Sequence, residues 1–233
     1  MNRKFVLISL IALYSLIACK SENSRLEINP KEFFFPLDSV LPFVYLYQEQ
    51  SNPLDEKIFR MYQLELNSDT SYFVLEKYNS IFEITEGFTF ETKDSIKIID
   101  HMVVDGNQMK RKSKVVNSTF FPYDHHSQSK FTTSFPGLAD SSIILLESSS
   151  KIINRDTSYS IFNKRIPAII ISDSTILYEI DSKNKLVNHR EVAIKRIYAK
   201  HIGLVEWGTF DNRILYKLVQ IKDNDWWNSI SEN

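Results

Sequence analysis

Few side chains in this 233-residue sequence are placed to do chemistry. Asp124, His125 and His126 stand side by side. Neighbouring side chains in an extended segment point to opposite faces, so a metal there needs ligands from elsewhere. Solvated loop polarity accounts for the group as well. His101, His189 and His201 are scattered. Asp223-Asn224-Asp225 has calcium-ligand character but lacks the glycine and closing glutamate of a hand-type loop, and reads as a polar turn. Serine is abundant, yet no G-x-S-x-G elbow occurs. A carboxylate pair for glycoside hydrolysis depends on folded distances that chain spacing does not fix. Lys110, Lys112 and Lys114 alternate, so on a strand they share one face. They either guard an edge or contact an anionic headgroup or glycan. Tyr45, Tyr47, Tyr62, Tyr72 and Tyr78 exceed what a thin sheet face needs, and are candidate contacts for a hydrophobic ligand.

Composition narrows these options. Lys+Arg number 28 against 29 Asp+Glu, so the bulk basic surface of a nucleic-acid partner is not supported. A single cysteine excludes an internal disulfide. The glycines, at 87, 106, 137, 203 and 208, leave no G-x-G-x-x-G and no Walker loop. The expectation is a non-catalytic protein with no cofactor and no metal.

These groups must be carried by something, and the amino terminus says where it is held. Arg3 and Lys4 precede an uncharged, mostly apolar run from Phe5 to Ile17. As a helix this run spans ~20 Å at ~1.5 Å per residue, short of the ~30 Å hydrocarbon core. It reads as a secretory h-region rather than a membrane span. The run ends Leu16-Ile17-Ala18-Cys19, which resembles the bacterial lipobox. The resemblance implies a diacylglyceryl group on the Cys19 thiol, cleavage before Cys19 and acylation of the new amino group. The expected organisation is a lipoprotein signal peptide over 1–18, a lipid anchor and flexible tether over 19–30, and one β-rich domain over 31–233. The membrane is then a partner through lipid on Cys19. Lys20, where an inner-membrane retention signal would place Asp, leans toward the outer membrane, with the periplasmic or surface face left open.

The mature chain has a dominant period of two, rich in Ile, Val, Phe and Tyr, as pleated strands require. Ten or eleven strands are expected, from windows at 42–50, 56–67, 71–78, 80–86, 88–92, 95–104, 108–117, 143–153, 158–162, 166–180, 187–199, 203–210 and 213–222. Turn chemistry separates them. Asp105-Gly106 is the strongest hairpin signal, for a type I′ turn. Short turns allow only antiparallel neighbours. The fold class predicted is mainly β: one large curved antiparallel sheet or half-open barrel, with few short helices. Helix signals are confined to Leu138–Ser150 and Asp225–Ile230, and Thr119–Pro136 reads as the longest irregular segment. Asp69-Thr70-Ser71-Tyr72 recurs as Asp156-Thr157-Ser158-Tyr159, through duplication or through two independent hairpin starts.

Phe34-Phe35-Pro36-Leu37 followed by Phe43-Val44-Tyr45-Leu46-Tyr47, and Tyr198-Ala199-Lys200-His201-Ile202-Gly203-Leu204-Val205, bracket nearly the whole domain. They resemble the opening and closing hairpin of uncharacterised Bacteroidota lipoproteins. The resemblance implies a large curved antiparallel sheet. At fold level only, it is similar to the half-barrels of periplasmic lipoprotein carriers, whose concave face holds acyl chains. No catalytic residue carries over. This chain departs from the pattern at His201, where glycine is usual, which requires another turn shape or a left-handed His201. Gly203 is expected to let two strands approach. The function expected is an outer-membrane-anchored lipoprotein that binds a hydrophobic small molecule or envelope component. The alternative is a structural or protein-interaction lipoprotein using an exposed sheet edge or apolar patch.

Overall fold

The computed structural model describes residues 29, 31–36, 42–67, 70–93, 95–105, 107–122, 127–137 and 142–231. Cys19, the leader and the Asp124–His126 group lie outside the described residues.

Alternating apolar residues fold the chain into strands that each pair with their chain neighbour. The strands are β1 (Phe43–Glu49), β2 (Glu56–Asn67), β3 (Thr70–Tyr78), β4 (Ile84–Glu91), β5 (Lys97–Val104), β6 (Lys110–Lys112), β7 (Lys114–Ser118), β8 (Gln128–Pro136), β9 (Ile143–Ile161), β10 (Lys164–Ile180), β11 (Leu186–Ala199), β12 (Gly203–Thr209) and β13 (Leu215–Asp223). They form one antiparallel sheet of 13 strands in the order β6-β5-β4-β3-β2-β1-β13-β12-β11-β10-β9-β8-β7. The first and last strands, β1 and β13, pair directly, from Phe43↔Asp223 to Glu49↔Tyr216. The two ends of the order, β6 and β7, are consecutive in the chain and separated by Ser113 alone. The sheet therefore bends into a nearly closed up-and-down barrel. Its seam is held at one end by Ser113 N–H donating to the His101 carbonyl (2.9 Å). At the other end Phe120 N–H donates to Ile96 (3.0 Å).

Pleat alternation sends Tyr45, Tyr47, Phe59, Met61, Phe73, Leu75, Phe88 and Phe90 inward. The short helix α1 (Lys31–Phe34) plugs one end. Phe34 is fully buried and meets Phe90 edge-on at 5.2 Å, with Phe73 at 5.7 Å and Phe121 at 5.8 Å. The plug is also tied by its backbone, since His201 N–H donates to the Glu32 carbonyl (2.6 Å). Gly203 makes room for this plug rather than for a second strand. A Cβ there would lie 2.5 Å from the Phe34 carbonyl oxygen and 2.6 Å from Phe35 Cδ1. His201 sits at φ 61°, in the left-handed region, the second of the two outcomes left open for its turn.

The outer face of β1–β3 is covered by helix α2 (Asn224–Ser231), which includes the predicted terminal turn. Trp227 packs there with Val44 and Ile58. Asp223 caps the helix by accepting the Trp226 N–H (3.0 Å).

Several sequence expectations are corrected. Leu138–Ser150 is not a helix where it is described: 142 precedes β9, a single strand that also absorbs the windows 143–153 and 158–162. Thr119–Pro136 is not irregular throughout, because Gln128–Pro136 forms β8. In both strands the inward positions carry Ser and Thr as well as Phe and Leu, which blurs the apolar alternation that marks a strand. Gly87 lies inside β4 rather than at a turn, so 80–86 and 88–92 are not separate strands. The 108–117 window divides into β6 and β7 at Ser113. Asp156–Tyr159 lies within β9, whereas Thr70 starts β3, so the second copy of the tetrapeptide is not a hairpin start. Asp105 does not open a two-residue type I′ turn. Its carboxylate accepts the N–H groups of Asn107 (2.9 Å) and Met109 (3.0 Å), and Gln108 is left-handed at φ 60°; Gly106 lies outside the described residues. Asn79 and Asp181 build the same longer turn, with Phe82 and Asn184 left-handed.

Candidate functional site

The plug fills one end of the barrel. Beyond it lies a lumen of about 390 Å³, within the range of small-molecule sites. Phe59, Leu75, Phe88, Phe120, Phe131 and Leu146 give its apolar wall. Larger barrels enclose cavities because side chains no longer meet across the axis.

Two ion pairs interrupt this wall, and the strand order places them on opposite sides. On β10 and β11, Arg196 grips Asp173 in a bidentate pair: Nη2 donates to Oδ1 (2.6 Å) and Nε to Oδ2. Nη1 also donates to the Tyr198 hydroxyl (2.7 Å). The guanidinium lies 5.1 Å from the Phe120 ring centre. Burial alone would lower the Arg196 pKa, but the Asp173 charge outweighs it and the net shift is upward. Burial pushes the Tyr198 phenol up to about 12.

On β3 and β4, Lys77 Nζ donates to Glu86 Oε2 (2.7 Å), and His101 Nε2 lies 3.0 Å from Glu86 Oε1. Burial would raise the Glu86 carboxyl, yet Lys77 and His101 hold it at about 2. His101 Nδ1 lies 2.9 Å from Ser113 Oγ, which accepts from Thr133 Oγ1 (2.6 Å). This Ser–His–Glu row has the composition of a hydrolytic triad. Its placement serves the barrel instead. His101 and Ser113 are buried outside the lumen wall, and the Ser113 hydroxyl also donates to the His101 carbonyl (2.9 Å).

The sequence-derived candidates fall in three places. Tyr45 and Tyr47 point inward but are fully buried and do not line the lumen; their hydroxyls donate to the carbonyls of Ile202 (2.6 Å) and Leu204 (2.8 Å). Burial raises both phenols. Tyr62, Tyr72 and Tyr78 have the opposite parity on β2 and β3. Tyr62 and Tyr78 donate to Glu76 (3.2 and 2.9 Å), and the Tyr78 ring lies 4.7 Å from Trp227. Of the five tyrosines only Tyr78 also borders the lumen. Lys110, Lys112 and Lys114 are exposed beside the seam, and Lys112 reaches Asp100 (3.3 Å).

The residues that do shape the lumen left one overlooked signal. Asp173 and Arg196 each occupy the inward parity of an otherwise apolar run, Ile169-Ile171-Asp173 and Ile194-Arg196-Tyr198. A charge at a core parity position marks a buried pair.

The open end has a further property. Among the described residues, large apolar side chains stand exposed in or beside the strand connections at this end: Leu54, Phe82, Met109, Ile143, Leu186 and Phe210. Among the described residues no helix is long and apolar enough to cross a membrane.

Fold and site together define a plugged, nearly closed β-barrel with a ligand-sized lumen. Comparison with protein-family models, curated proteins and solved structures found no significant match for this chain.

Proposed function

We propose that this protein is an envelope lipoprotein, anchored to the outer membrane through Cys19, that binds a hydrophobic ligand in the barrel lumen without transforming it. The observation that carries the reading is the lumen itself, a chamber of about 390 Å³ with a mainly apolar wall, closed below by Phe33–Phe35. A binding role, rather than a catalytic one, is supported by the commitment of the Ser113 hydroxyl and the His101 ring to the barrel seam. Secretion, lipidation and outer-membrane placement rest on the leader and on Lys20.

The test uses soluble Cys19→Ala protein and a Leu146→Trp variant that fills the lumen. Native mass spectrometry after incubation with methyl laurate is expected to show a one-to-one complex that Leu146→Trp abolishes. Ligand-free protein throughout, or binding untouched by Leu146→Trp, overturns the reading.

A second reading has its own observation in the apolar hairpin tips around the mouth. Contact of that rim with an envelope protein would bury side chains that otherwise face water. Crosslinking in intact cells of wild type and of a Leu54→Lys/Phe82→Lys/Phe210→Lys variant tests it. Loss of a specific adduct is expected, and an unchanged pattern counts against the second reading.

A further inference from the structure

Trp207 lines the lumen, and its indole Nε1 is buried with no hydrogen-bond partner among the described residues. Its ring is fixed, stacked on Tyr216 at 4.1 Å and 13°. On β12 it lies between Arg196 of β11 and Tyr216 of β13 in the cross-strand register. Buried donors are almost always paired, because leaving one unmade carries its full desolvation cost. An unpaired N–H on the wall of a mainly apolar chamber is a place for a ligand acceptor.

The charged groups on the wall restrict what that acceptor is. Arg196 is held by Asp173, Lys77 by Glu86, and Lys57 by Asp55 at 2.7 Å. Each cation of the wall therefore already has a carboxylate. A ligand carboxylate would enter without a free counter-charge, and burying an unpaired charge is unfavourable. A neutral carbonyl needs only the donor that Trp207 offers. The apolar side chains on the plug side of Trp207, among them Leu204, Phe35 and Phe120, suit an alkyl chain.

We infer that the lumen takes a neutral acyl compound, an ester or amide of a fatty acid, whose carbonyl oxygen accepts a hydrogen bond from the Trp207 indole and whose chain lies toward the plug. This inference rests on the lumen being the ligand site.

The experiment compares dodecane, methyl laurate and laurate as displacers of a lumen-bound fluorescent probe, with wild type and Trp207→Phe in the soluble Cys19→Ala background. Wild type is expected to prefer methyl laurate to dodecane about tenfold, the worth of one hydrogen bond that relieves a buried donor. Methyl laurate is also expected to outcompete ionised laurate. In Trp207→Phe the ester and the alkane are expected to bind alike. An ester preference that survives Trp207→Phe, or laurate binding tighter than its ester, overturns the inference while leaving the lumen a ligand site. Failure of all three to bind wild type removes the ligand site itself. Nitrogen-15 indole spectra give a readout without a variant. Methyl laurate is expected to move the Trp207 N–H signal downfield and leave Trp226 and Trp227 in place. A stationary Trp207 signal in the loaded protein overturns the inference.

Discussion

His101 on β5 and Ser113, the residue between β6 and β7, are joined by three contacts. The Ser113 N–H and hydroxyl both meet the His101 carbonyl at 2.9 Å, and Ser113 Oγ lies 2.9 Å from His101 Nδ1. This is where the two ends of the sheet meet. A backbone bond sets the strand spacing, and the side-chain bonds satisfy polar groups that the closure has buried. Ser113→Ala is expected to lower stability by about 1–3 kcal/mol by leaving a buried acceptor and ring nitrogen underpaired. His101→Ala, which also empties ring volume between Phe88 and Phe131, is expected to cost about 2–4 kcal/mol. Urea unfolding measures both, and equal or negligible losses would contradict this account of the seam.

Gly203 and His201 make opposite demands on the plug-end turn. Gly203→Ala places a Cβ against the Phe34 carbonyl at φ 99°, and strain plus overpacking is expected to cost about 2–5 kcal/mol. His201→Gly keeps the N–H bonded to Glu32 and relieves a left-handed residue, with an expected gain of up to about 1 kcal/mol. Thermal melts of the two variants should move in opposite directions.

Glu86 ties stability to acid pH. Its folded pKa is depressed from 4.5 to about 2. Between those values the unfolded chain binds the proton and the native carboxylate does not, so stability is present above about 4.5 and is lost as pH falls toward 2. The loss amounts to at most about 3 kcal/mol. Glu86→Gln is expected to flatten the stability profile in that window, as read by urea titrations across the pH range. A profile with the wild-type slope would assign the acid sensitivity elsewhere.

Asp173 holds a cation, Arg196, that meets no other carboxylate among the described residues. Its side chain and that of Arg196 are 4% and 11% exposed, so neither is screened by bulk water. Asp173→Ala leaves a buried guanidinium unpaired and is expected to cost about 3–5 kcal/mol. The double replacement Asp173→Leu/Arg196→Met removes both charges and is expected to recover most of that loss. Calorimetry on the single and double variants separates a costly pair from a stabilising one.

Trp227 marks the division between the outer and inner faces. It packs on Tyr78 and lies 5.2 Å from the Arg60 guanidinium, outside the barrel. Trp227→Ala is expected to cost about 2–4 kcal/mol while leaving methyl laurate affinity unchanged. A change in affinity would mean that α2 and the lumen are coupled.

The sequence by itself determined most of the strands, because period-two patterning such as Phe43-Tyr45-Tyr47 reports local burial on a pleated face, but it missed β8, whose inward positions include Ser and Thr. It also determined that the turns are short, and hence that neighbours run antiparallel. What it left open was which face is inside, because parity has no sign until the sheet curls. Tyr45 and Tyr62 therefore looked equivalent, although one is core and the other packs outside. Only the tertiary structure decided that Ser113 is a closing point, that Gly203 receives the Phe34 backbone, and that Asp173 meets Arg196. Each of these contacts is set by barrel closure, a property of all the strands at once that no stretch of the chain encodes alone.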